Sequence, residues 1–153
     1  MKNMKAGFRF ALLAATLSLV CVALAPAAHA QYSYYPLTPC RVVDTRNPNG
    51  VNGGPMMVAT AVRNFAMRGS CGIPTTAKGI SFNVTITGAQ SNGYLTIFPS
   101  GGSLPVVSTI NFLTTDVALA NGAISGLSTN AQDLSVYSSA NVHVIIDVSG
   151  YFQ

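Results

Sequence analysis

Few side chains in this sequence are placed to carry out catalysis. His143 and Asp147 lie four residues apart in the terminal stretch VHVIIDVSGYFQ. On an extended strand this spacing separates them by about 13 Å, so they cannot form the base and orienting acid of a serine hydrolase. Asp44 and Asp147 are the only carboxylate pair considered for glycosidase chemistry, which needs two carboxyl groups of different pKa. Nearby arginines are better suited to binding these acids, and we therefore predict no catalytic residue and no enzyme.

A metal site is equally weakly indicated. The stretch DTRNPNGVNGG resembles a calcium loop, but the helix-flanked pattern needs oxygen donors where this chain has Asp44, Arg46 and Pro48 at the first, third and fifth positions. A zinc site needs more ligands than two cysteines and His143 supply. We predict a Gly/Asn-rich turn region with no metal and no cofactor, although an irregular calcium site has no sequence pattern that would exclude it.

The first 30 residues have the pattern of a signal peptide. A basic start precedes an apolar run over residues 10–25, and Ala28-His29-Ala30 fits the small-x-small cleavage pattern. The alternative is an uncleaved anchor, since the run approaches the roughly 20 residues of a spanning helix. Pro26 and the cleavage pattern favour removal. We expect a secreted, cell-surface or periplasmic protein that begins at Gln31 and is free of the membrane.

Charge is sparse after the predicted cleavage. Three of the eight basic residues precede Gln31, so five remain against four acids and the net charge is +1. A chain without a basic patch has little attraction for phosphate backbones, which argues against a nucleic-acid partner. Nine charged side chains in 123 residues are also far below the ~25% usual in globular domains. Such a surface is poor at keeping molecules apart.

Two cysteines remain in the predicted mature chain, Cys40 and Cys71. In an exported protein we expect a disulfide between them, stabilising the fold by about 3 to 4 kcal/mol through loop closure. The alternatives are two free thiols or half of a metal site.

Apolar residues recur with a period of two, which is typical of strands. In KGISFNVTITG, Ile80, Phe82, Val84 and Ile86 alternate with polar residues. GYLTIFP follows the turn-forming GAQSNG, which predicts a hairpin with a longer loop. We predict an all-β protein, an antiparallel β-sandwich of jelly-roll or immunoglobulin-like type with about eight short strands. Residues 31–39 would form an N-terminal arm and residues 40–153 a single domain.

The same period-two pattern predicts the surroundings of Asp147, the acid in the last strand. Val142, Val144, Ile146 and Val148 share one face, and the other face carries His143, Ile145, Asp147, Ser149 and Tyr151. Asp147 would be half-buried, and a buried carboxylate needs a partner. We predict structural ion pairs that join the first and last strands, formed by Asp44 and Asp147 with Arg41, Arg46 and Arg63. The alternative is that both acids are exposed on an outer face.

Five sequence blocks occur in order between Pro36 and Phe152: PLTPCRVVDTR, SFNVTITG, GYLTIFPSGG, STINF and VIIDVSGYF. Together they resemble a module of secreted bacterial proteins, found alone or attached to larger extracellular chains. The resemblance implies an extracellular, β-rich module of bacterial origin. It carries no activity or site residue over to this chain.

Two non-enzymatic functions follow from these features. The first is a structural or adhesive surface domain that uses low charge and sheet edges to associate with its own copies or with other envelope proteins. The uncharged segment QYSYYPLT would serve as an arm that adds a strand to its own sheet or to a neighbour's. The alternative is a glycan- or cell-wall-binding module with stacking surfaces at Tyr32, Tyr34, Tyr35 and Tyr94. The low charge favours the first.

Overall fold

Eight β-strands account for the regular structure in the computed structural model, which describes residues 31–130 and 132–153. The predicted signal peptide, residues 1–30, lies outside the described residues. Within the described part of the chain, no helix is long and apolar enough to cross a membrane. The strands are β1 (Tyr34–Asp44), β2 (Ala61–Phe65), β3 (Gly79–Thr87), β4 (Gly93–Pro99), β5 (Ile110–Phe112), β6 (Ala118–Gly126), β7 (Leu134–Ser138) and β8 (His143–Phe152).

The strands form two four-stranded sheets with the orders β1-β8-β3-β6 and β2-β7-β4-β5. Every pair of neighbours is antiparallel. The pairs are nested in sequence, because β1 lies beside β8, β2 beside β7, β3 beside β6 and β4 beside β5. This is the arrangement of one long hairpin wound over two sheets, which is a jelly roll. The predicted antiparallel β-sandwich of eight strands is confirmed, and the strand order selects the jelly-roll alternative.

The core lies between the sheets and is built from the alternating residues of the strands. Ile80, Val84 and Ile86 of β3 are fully buried and Phe82 is nearly so, as the period-two pattern predicted. Leu95 of β4 and other inward side chains complete the core from the second sheet. Each large apolar side chain buried in this way contributes about 1.5 to 3 kcal/mol.

The predicted hairpin between β3 and β4 is wrong. These strands belong to different sheets, and β4 pairs with β5 and β7 instead. The segment 88–92 therefore carries the chain from one sheet to the other. Turn-forming residues show where the chain reverses, but they do not specify which strand will pair with the strand that follows the turn.

The predicted N-terminal arm is part of the domain's own sheet. Tyr34, Tyr35 and Pro36 lie opposite Phe152, Tyr151 and Gly150, so β1 runs through the predicted boundary at residues 39 and 40. The compact unit spans Tyr32–Gln153. The register shifts between Pro36 and Cys40. Because β1 is an edge strand, prolines that cannot donate to a ladder are tolerated there.

A β-bulge changes the alternation near the end of β8. Ser81 of β3 lies opposite Gly150 and Phe82 lies opposite Val148, so Ser149 is an extra residue. Beyond the bulge, Tyr151 lies opposite Ile80 and packs against the core. The prediction that Tyr151 shares the face of Asp147 is therefore wrong. Val142, just before β8, and Val144, Ile146 and Val148 within it are buried as expected.

Candidate functional site

Arg41 joins the first and last strands at the surface of the first sheet. It lies opposite Asp147 in the β1/β8 register. Its Nε donates to Asp147 Oδ1 at 2.8 Å and its Nη2 donates to Oδ2 at 3.1 Å. The two parallel bonds form a fork, the strongest geometry for this pair. The hydrogen bond with Asp147 raises the pKa of Arg41.

Asp44 is held by Arg46, two residues further along the chain. Arg46 donates from Nε at 2.8 Å, from Nη2 at 2.6 Å and from its backbone N–H at 3.1 Å. Arg41 adds a longer contact from Nη1 at 3.5 Å. The guanidinium of Arg46 is the main reason that the pKa of Asp44 is lowered to about 2, since burial of the carboxyl opposes the change. The same hydrogen bond raises the pKa of Arg46.

This arrangement makes part of the stability dependent on acid pH. The pKa of Asp44 falls from 3.8 to about 2 on folding, so its contribution is present above pH 3.8 and is lost as the pH falls through 2. Because Arg46 is half-exposed, we expect a contribution of about 1 to 2 kcal/mol. Asp44→Asn should lose this amount at neutral pH and should flatten the stability curve between pH 4 and 2, as measured by urea unfolding. If Asp44→Asn had the same pH dependence as the wild type, the assignment would be contradicted; Asp116→Asn, at a partly exposed acid that forms no ion pair among the described residues, is the control.

Arg63 does not form the predicted ion pair with either acid. Its guanidinium instead donates to the carbonyl oxygens of a single loop, those of Gly50, Gly53, Gly54 and Pro55, at 2.7 to 2.9 Å. It also lies 4.8 Å from the ring centroid of Phe65. Burial lowers the pKa of Arg63. Three backbone oxygens of the stretch that resembled a calcium loop, those of Gly50, Gly53 and Gly54, thus accept hydrogen bonds from the Arg63 guanidinium.

A buried ion pair between Arg68 and Asp133 was not predicted from the sequence. The Asp133 carboxylate accepts a hydrogen bond from the Arg68 guanidinium and from the backbone N–H groups of Met67 and Arg68, the latter two at 2.7 and 2.8 Å. Arg68 also donates to the carbonyls of Ala77 and Ser128. This network fastens the segment after β2 to the start of β7. Arg68 and Asp133 are 65 residues apart in the sequence.

The two cysteines are joined, as predicted. The Cα atoms of Cys40 and Cys71 are 5.9 Å apart and the disulfide closes a separation of 31 residues. It ties β1, an edge strand, to the segment that follows β2. His143, the other candidate for chemistry, shares a hydrogen bond of 3.1 Å between its Nδ1 and the hydroxyl of Thr45. That hydroxyl accepts the N–H of Val144, so Thr45 links β1 to β8.

A groove of about 680 Å³ crosses the outer face of the first sheet. Its lining is mostly polar on β3 and β8 and small or apolar on β6. We call it the sheet-1 groove, and its lining residues are Pro39, Ser81, Phe82, Asn83, Gly122, Ala123, Ile124, Asp147 and Ser149. The Arg41–Asp147 pair stands at the β1 end, where a smaller depression adjoins it. The groove therefore combines hydroxyl, amide and paired charged groups.

A second surface covers the outer face of the other sheet. Tyr94 of β4 and Tyr137 of β7 have ring centroids 5.8 Å apart, and Val62 of β2 lies opposite Tyr137. The segment 104–108 lies beside them, because the Thr96 hydroxyl donates to the Val107 carbonyl at 2.6 Å. We call this the Tyr94 surface, formed by Val62, Tyr94, Leu104, Val106, Val107 and Tyr137. It includes an apolar depression of about 300 Å³.

The four tyrosines predicted as a binding surface do not lie together. Tyr34 packs beside Phe152 with ring centroids 5.1 Å apart, whereas Tyr35 stacks on Tyr151. Tyr94 belongs to the other sheet. Tyr32 precedes β1 and is exposed. Tyr34 and Tyr35 are adjacent on β1 and point to opposite sides of the first sheet, and Tyr94 lies on the second sheet, so the single predicted surface is not formed.

Comparison with known proteins finds no family model and no curated protein that matches this chain. Within the described residues, no group of three or more histidine, cysteine or acidic side chains is arranged to hold a metal ion.

Proposed function

We propose that this protein is a non-enzymatic, secreted structural or adhesive domain that associates with copies of itself through the Tyr94 surface. The observation that carries the proposal is a protruding apolar side chain beside an apolar depression. Val106 is fully exposed, with a relative accessibility of 103%, and it stands at the rim of the 300 Å³ depression. Exposed apolar groups that gather around a depression are typical of an interaction surface.

Electrostatics make this surface suitable for burial. In the part of the chain that the structure describes, no charged residue lines the depression. Its walls are Tyr94, Thr96, Leu104, Pro105, Val106, Val107, Ser108 and Asn111. Burying it would therefore leave no unpaired charge, which is the most costly defect of an interface. Tyrosines are also among the residues that contribute most to binding energy.

The shape favours a two-fold dimer. In a two-fold interface the same patch of each copy contacts the other. A protruding side chain on each copy can therefore fill the depression on its partner. Val106 of each copy would enter the depression of its partner, between Tyr94 and Leu104. The sheet edges remain available for further contacts.

An extracellular location is part of the proposal. The disulfide is a bond that persists in oxidising compartments. The predicted signal peptide and the resemblance to secreted bacterial modules support the same compartment. The low charge that remains after cleavage supports association rather than repulsion between copies.

The test is the oligomeric state of a charge-inserting variant. We expect purified residues 31–153 to show concentration-dependent dimers in sedimentation velocity, and we expect Val106→Asp to weaken dimerisation by at least roughly 100-fold, because a carboxylate would enter an apolar site. Val117→Asp is the matched control, since Val117 is also exposed but lies on the loop before β6. A wild-type protein that stays monomeric at every concentration, or equal effects of the two variants, would contradict the proposed interface.

A further inference from the structure

We propose that the sheet-1 groove binds an uncharged glycan. The groove lies on the face opposite the Tyr94 surface, so this site is separate from the proposed association surface. Its volume of about 680 Å³ falls within the range of ligand sites and suits a short oligosaccharide.

The groove offers hydrogen-bonding groups that match sugar hydroxyls. Asn83 donates from Nδ2 to the Thr85 hydroxyl at 3.1 Å, and within the described part of the chain its carboxamide oxygen has no hydrogen-bond partner. The hydroxyls of Ser81 and Ser149 share a hydrogen bond of 3.2 Å and keep lone pairs that can accept others. A sugar hydroxyl both donates and accepts, so it can bond to each of these groups.

The charges favour a neutral ligand over an anionic one. Arg41 and Asp147 neutralise each other at the β1 end through their two hydrogen bonds. The carboxylate oxygens of Asp147 retain acceptor capacity for sugar hydroxyls, while the neutralised pair has no net positive charge to attract an anionic sugar. Among residues 31–130 and 132–153, no other charged side chain lines the groove.

An aromatic ring lies beside this polar floor. Tyr34 donates from its hydroxyl to the carbonyl of Ser149 at 3.2 Å, and the residue remains 46% exposed. The ring lies directly over Gly150, because a Cβ atom there would come within 2.3 Å of the Tyr34 hydroxyl oxygen. Glycine at position 150 thus lets the ring approach the strand. An aromatic face packs against the apolar C–H face of a sugar while the polar floor meets its hydroxyl edge.

The test uses neutral oligosaccharides as probes. Residues 31–153 are titrated with cellohexaose, mannohexaose and chitohexaose, and with oligogalacturonate as the anionic comparison, by calorimetry and amide chemical shifts. We expect at least one neutral probe to bind and to shift the amide resonances of Asn83 and Ser149. Tyr34→Ala should weaken this binding at least tenfold, and Tyr32→Ala, at an exposed tyrosine before β1, should leave it unchanged.

A groove-filling variant keeps the proposal testable if Tyr34→Ala fails to fold. Among the described residues, nothing lies within 4 Å of a Cβ atom built at Gly122, so a side chain can start there without a clash, and we expect Gly122→Leu to fill the groove. It should also weaken binding at least tenfold, whereas Gly102→Leu, on the loop after β4, should not. Failure of every neutral probe to bind, preference for oligogalacturonate, or binding that is insensitive to Gly122→Leu would overturn the proposal. The Val106→Asp variant should bind the glycan normally. Loss of dimerisation can therefore be distinguished from loss of glycan binding at the sheet-1 groove.

Discussion

Replacing Asp133 with alanine is expected to lower the free energy of unfolding by about 3 to 5 kcal/mol. The carboxylate is buried and accepts hydrogen bonds from the Arg68 guanidinium and from the backbone N–H groups of Met67 and Arg68. Its loss would leave a guanidinium that is only 16% exposed without its counter-ion, and two N–H groups without an acceptor. Chemical denaturation monitored by tyrosine fluorescence measures the change.

The matched control for this prediction is Asp116→Ala. Asp116 is a lone acid that accepts one exposed hydrogen bond from the Leu113 N–H. Its removal should cost no more than about 1 kcal/mol, the ordinary net value of one such bond. A loss at Asp133 as small as that at Asp116 would show that the buried network does not hold β7 to the segment after β2.

Removing the disulfide is expected to cost about 3 to 4 kcal/mol. The bond between Cys40 and Cys71 closes a loop with a sequence separation of 31, and this constraint on the unfolded chain accounts for the magnitude. The double variant Cys40→Ser/Cys71→Ser should therefore unfold at lower denaturant concentration than the oxidised wild type. Reduction of the wild type should produce a similar loss.

Peptide mapping provides the independent check on the disulfide. Protein purified from an oxidising compartment should yield the Cys40 and Cys71 peptides linked, and reduction should separate them. Two free thiols in such protein, or equal stability of the oxidised and double-variant forms, would contradict the prediction. Because Cys40 lies in the edge strand β1, we expect amide exchange to accelerate first in β1 when the bond is reduced.

The two proposed surfaces lie on opposite outer faces of the sandwich, so occupation of one does not obstruct the other. A dimer formed through the Tyr94 surface would present one sheet-1 groove on each side. Because these grooves would face away from each other, one dimer could hold two polymer chains at once and cross-link them. This arrangement would suit an adhesive domain.

The local sequence was sufficient to predict the strands and the fold class. The alternation around Phe82 and Val84 predicted a strand with one buried face, because successive side chains of an extended backbone point to opposite sides. The number of short apolar runs predicted about eight strands. The disulfide followed from the two cysteines that remain after the predicted signal peptide. Each of these inferences depends on residues near one another or on simple counting.

Tertiary structure decided which distant residues meet. Asp133 and Arg68 are 65 residues apart, and no local pattern distinguishes the buried Asp133 from a partly exposed acid such as Asp116. Arg63 binds loop carbonyls rather than an acid, because folding brings residues 50–55 around it.

The strand order and the bulge at Ser149 likewise arise from long-range pairing, and they place Tyr34 rather than Tyr35 beside the sheet-1 groove. A residue's own backbone and neighbours determine the direction of its side chain along a strand. The strand opposite it is determined by the packing of the whole sandwich, which is why the elements could be predicted and the surfaces could not.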